Sequence, residues 1–149
     1  MVPQKGCIFF KDTVRKNLNL EADFDFVEWL KDQKMFGSKM KLEFMKPDFI
    51  IEEEEEGNNL SEQGLNINIL RLNLKKEKIK IIIVELGPFN KSNNFYKNNV
   101  ISLNVFIEEI IDFFVSNYEE KTIVFLSENP IESEKLDMIC RVKMRENVE

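Results

Sequence analysis

Two unbroken apolar runs, IKIIIVEL at 79–86 and TIVFL at 122–126, constrain the possible folds of this chain more than any other feature. Both are rich in β-branched residues, and neither alternates polar with apolar as a strand with one wet face does. Such runs predict central strands covered on both faces. Between them, SLNVFIEEIIDFFVSNY at 102–118 has helical spacing, with only a narrow polar stripe. A helix of that kind is largely buried, or meets a partner along one side. The order predicts a parallel strand–helix–strand unit over 79–127, with a right-handed crossover. Ile82, Val84, Val124 and Leu126 are then expected to be almost wholly buried.

The remaining segments add further strands to this unit. Cys7–Phe10 suggests an edge strand. KMKLEFM at 39–45 alternates Met40, Leu42 and Phe44 against charged residues, which predicts a half-exposed strand. Lys46-Pro47-Asp48 makes a turn into a strand at FIIE. LNINILRLNL at 65–74 alternates with a slip of phase that a β-bulge near Ile69–Leu70 would reconcile. Lys75-Lys76-Glu77 then has the length of a hairpin turn. MICRVKM at 138–144 alternates like a last half-exposed strand. The other helix is FDFVEWLKDQKMF, opened by Asp25 with Glu28 in capping-box spacing and stopped by Gly37. A weak echo of helix, turn, strand and X-Pro links 25–47 with 106–130. The fold expected is a single α+β domain over 1–149, a mixed sheet of about six or seven strands with two helices on one face. An acidic loop is expected at about 52–64.

Composition excludes several chemistries. Histidine is absent from all 149 residues, so Ser–His and Cys–His catalysis are ruled out. The net charge of −6 argues against sequence-independent binding to nucleic acid, which needs Lys and Arg on phosphates. Glycines never cluster into a phosphate loop. Cys7 and Cys140 have no metal-ligand spacing and suggest reduced thiols. With neither a secretory signal nor a run long enough to span a bilayer, an intracellular protein of cytoplasm or nucleus is expected.

One constellation of acids points to chemistry. Lys46-Pro47-Asp48-Phe49-Ile50 and Val84-Glu85-Leu86-Gly87 resemble the two acidic signatures of PD-(D/E)XK nucleases. The resemblance implies a helix–strand–strand–strand–helix–strand core, in which Asp48 and Glu85 hold a divalent cation that activates water on a phosphodiester. Gly87 stands where that family has its lysine, and the strand expected at 65–74 offers only Asn66 and Asn68 where an acid would be needed. With no other catalytic cluster in the sequence, the function expected is a non-catalytic protein-interaction or assembly module that needs no cofactor. Its partner would be another protein with a basic surface, or a further copy of the chain. Glu52, Glu53, Glu54, Glu55 and Glu56 are the candidate contact residues, because a run of carboxylates attracts and steers a basic partner. The nuclease, active or degenerate, is the alternative.

Overall fold

Helix α4 (Glu62–Asn73) divides the molecule, and the other elements pack on its two sides. The computed structural model describes residues 12–37, 39–46, 49–51, 62–86, 103–127, 131 and 133–140. Among these, the other elements are α1 (Val14–Asn17), α2 (Phe26–Asp32), α3 (Met40–Phe44), β1 (Ile81–Glu85), α5 (Leu103–Asn117) and β2 (Thr122–Leu126). A 3₁₀ turn at Lys76–Lys78 joins α4 to β1.

The apolar residues of α4 fall on two faces. Leu65, Ile69 and Leu72, at i, i+4 and i+7, join a core formed with β1, α5 and β2. Ile67 and Leu70, at i and i+3, with Leu74 just past the end of the helix, join a second core with α1, α2, α3 and Ile51. The polar positions between these two sets mark no wet face, since Asn66 and Asn68 are themselves buried. The slip of phase at Ile69–Leu70 is therefore the mark of a helix with two buried faces, not of a bulged strand.

Segment 39–45 is corrected in the same way. Met40 and Phe44, four residues apart, are buried on one side of α3, whereas Leu42 is 69% exposed. Met, Lys, Leu and Glu are all good helix formers, and the buried i, i+4 pair overrides the apparent alternation. With these two segments helical, the mixed sheet of six or seven strands is not formed. Among the described residues there are five α-helices and one sheet of two strands, still a mixture of helix and strand. Lys75-Lys76-Glu77 accordingly makes no hairpin, and the echo between 25–47 and 106–130 breaks at α3. Residues 138–140 carry no strand, and Met138 lies open to solvent. The edge strand expected at Cys7–Phe10 lies outside the described residues.

Strands β1 and β2 do pair in parallel, in the register Ile81–Thr122 through Glu85–Leu126, with α5 as the connecting element. Thr122 N–H donates to Lys80 C=O (3.0 Å) and Leu86 N–H to Leu126 C=O (2.7 Å), which extends the ladder at both ends. Aromatic rings join α5 to its neighbours. Phe114 stacks on Tyr118 and meets Phe125 of β2 edge-on, while Phe106 and Phe113 both take Phe36 edge-on.

Polar side chains fasten the short helices. Asp25 accepts from Glu28 N–H (3.1 Å) at the start of α2, as the sequence suggests. That helix ends at Asp32, where Lys41 Nζ donates to the carbonyls of Lys31 and Gln33, and not at Gly37. Arg71 donates through Nε and Nη2 to Asn17 C=O at the end of α1, at 3.2 and 2.8 Å. Arg71 thus ties α4 to the first helix across 54 residues of sequence.

Candidate functional site

The register of the two strands fixes which side chains share a face. Ile82 and Val84, with their partners Ile123 and Phe125, point into the core that includes α5. Ile81, Ile83 and Glu85 of β1, with Thr122, Val124 and Leu126 of β2, form the opposite face. On it Ile81 is 58% exposed, Val124 38% and Leu126 47%, and Ile83 is half-buried. Val124 and Leu126 therefore do not have the near-complete burial expected for central strands; Ile82 and Val84 do, at 2% and 1%. An unbroken β-branched run predicts cover on both sides, and here the helical layer lies on one.

Charge is unevenly placed around this face. Lys75, Lys76, Lys78 and Lys80 are exposed in the approach to β1, with Glu77 among them. The hydrogen bond from Thr122 to Lys80 sets half-buried Lys121 beside them, just after Glu119 and Glu120. Stretches 75–80 and 119–121 hold five lysines and three glutamates, a local +2. The whole chain is −6, so the remainder is −8. Lys76 Nζ also lies 5.6 Å from the centroid of the Tyr118 ring.

Glu85 is the last residue of β1, half-buried and opposite Leu126. Asp48 and the Glu52–Glu56 run lie outside the described residues. No group of three His, Cys, Asp or Glu side chains among the described residues is placed to hold a metal ion. The strand framework implied by the nuclease resemblance is altered as well. The segment leading to Pro47-Asp48 is α3, and the segment leading towards β1 is α4, with Asn66 and Asn68 on it. Cys140 is a free, exposed thiol.

Two ionisable groups are shifted by burial. Tyr118 has its phenol pushed well up, and its hydroxyl donates to Asn73 Oδ1 at 2.6 Å, pinning the end of α5 to α4. Glu62, in the first turn of α4, has its carboxyl pushed up by burial first and by the nearby Glu43 second. It presses against Gly37, whose φ of +79° favours glycine and where a Cβ would collide with Glu62 Oε1. In the unfolded chain Glu62 ionises at its ordinary value, below that of the folded state. Folding stability is therefore lost as pH rises through that interval, and the cost persists at neutral pH. Glu62→Gln is expected to raise the melting temperature at pH 7, and the gap from wild type should close as pH falls to about 4. A gap that stays constant with pH in thermal melts would show that burial of the charge is not its cause.

No described helix is long and apolar enough to cross a membrane. The open face of β1–β2 leaves little trace in the sequence, because TIVFL has no polar residue between its apolar ones; Lys121-Thr122 at its start is the hint. No protein-family model, curated protein or solved structure matches the chain.

Proposed function

We propose that this chain is a non-catalytic protein-interaction module that docks its partner on the outer face of β1–β2. The observation that supports it is the contrast across one pair of strands. Ile82 and Val84 are buried on the α5 side, with Ile123 and Phe125 half-buried beside them, whereas Ile81, Val124 and Leu126 are accessible together on the other. A strand-borne apolar surface is rigid, and binding to it costs little ordering of the module itself. Aspartate at exposed positions removes the apolar surface without emptying the core. Val124→Asp with Leu126→Asp should therefore lower stability by no more than ~1–2 kcal/mol, the span of strand propensity at two sites. Affinity capture with wild type and the double variant, at matched folded concentration, is the test. Loss of the captured proteins with the variant supports docking here; an unchanged set rules it out.

A further inference from the structure

We propose, resting on that docking face, that its occupant is a single acidic segment of a partner protein, apolar at intervals, with carboxylates against the lysines at the amino end of the strands. Size comes first. Two strands of five residues present a face about 17 Å long and about 10 Å wide. Stable association of two folded proteins needs roughly 800 Å² from each partner, several times what such a patch supplies. One segment laid on the strands matches the footprint, whereas a second copy meeting it face to face does not.

Charge then selects the chemistry of that segment. Lys80 directly precedes Ile81, the most exposed apolar residue of the face, and its carbonyl is bonded to Thr122 beside Lys121. Lys75, Lys78 and Lys80 are exposed and make no ion pair among the described residues. The +2 of this corner stands against −8 on the rest of the chain. Carboxylates are drawn to these lysines, which adjoin the open apolar residues of the strands, so a segment with acidic residues at one end and aliphatic residues after them is both steered and oriented. Polymeric phosphates are disfavoured by the net charge of −6 on the whole chain. The apolar residues beside the lysines give aliphatic side chains a place that a bare polyanion does not use.

The test selects binders of the full chain from a displayed pool of random peptides about ten residues long, roughly twice the length of either strand. Enrichment of peptides that combine Asp or Glu with Leu, Ile or Val is expected. A selected peptide should bind Lys78→Glu/Lys80→Glu at least ~10-fold more weakly and lose affinity as salt rises from ~50 to ~500 mM. Enrichment of uncharged or basic peptides, or equal binding by the charge-reversed variant, overturns the acidic occupant. If those peptides still fail on Val124→Asp/Leu126→Asp, the docking face itself stands. Peptides that bind both double variants as well as wild type, or a pool that yields no binder, overturn the docking face together with its occupant. Tighter binding of a single-stranded oligonucleotide, or of phosphatidylserine vesicles, than of every selected peptide also overturns the inference.

Discussion

Phe114→Ala is expected to destabilise the protein by about 3–5 kcal/mol, the range for removing a buried aromatic ring. Phe114 is 1% exposed on α5. Its ring lies 5.5 Å from that of Phe113, 5.7 Å from Tyr118 and 6.4 Å from Phe125, measured between centroids. Removing it empties the junction of the helix with β2, and loosens Tyr118, which holds Asn73 at the end of α4. The loss is a large share of the ~5–15 kcal/mol that stabilises a typical domain. Phe114→Leu keeps most of the volume and should cost well under half as much. Urea unfolding followed by circular dichroism is the measurement, with the slope checked so that a change in midpoint reports stability. Leu42→Ala serves as the contrast, since a residue 69% exposed should change little. A loss below about 1 kcal/mol for Phe114→Ala would mean that this junction does not anchor the fold.

The parallel pair and its helix were readable because their signals are long and agree. β-branched runs favour strands, and a 15-residue amphipathic helix has few alternatives. Segments 39–45 and 65–74 imitate strands in sequence because alternation is a sound strand signal only when one face is wet. Leu42 is apolar and exposed, which supplies a false third position to the alternating set. Helix α4 is enclosed on both sides, so its apolar residues sit at both helical phases and imitate a strand with a bulge. Propensity favoured helix at α3 and did not at α4, where Asn, Ile and Asn-Leu pairs gave no local preference; tertiary packing decides there. The outer face of β1–β2 was invisible for a related reason. Ile81, Val124 and Leu126 look the same in sequence whether a second layer covers them or not.

Asn66→Asp should cost about 3–5 kcal/mol although it exchanges only an amide NH₂ for oxygen, because the replacement reverses a donor inside the core. Asn66 is completely buried on α4. Its Oδ1 accepts from Phe36 N–H at 2.8 Å, while Nδ2 donates to Phe36 C=O at 2.8 Å and to Glu62 C=O at 3.0 Å. One side chain thus satisfies both backbone groups of a residue 30 positions away, and it fixes the connection between α2 and α3 against α4. Phe36 is held there so that its ring can meet Phe106 and Phe113 on α5. A carboxylate keeps the acceptor but sets an anionic oxygen against two carbonyl oxygens, at a position closed to bulk solvent. Asn66→Leu, which leaves Phe36 unpaired without adding charge, should cost less, about 2–4 kcal/mol. The two differ in pH dependence. Burial and facing carbonyls raise the pKa of the introduced carboxyl in the folded state, so its penalty grows as pH rises through the unfolded value near 4 and beyond. Below that pH the neutral acid can donate one hydrogen bond, and part of the lost stability should return; the leucine variant should show no such recovery relative to wild type. Denaturant midpoints for the three proteins at pH 3.5 and pH 7 separate the cases. Equal losses for both variants at both pH values would mean that the Asn66 site is wet enough to solvate a charge, and that its three hydrogen bonds do not hold the Phe36 segment on α4.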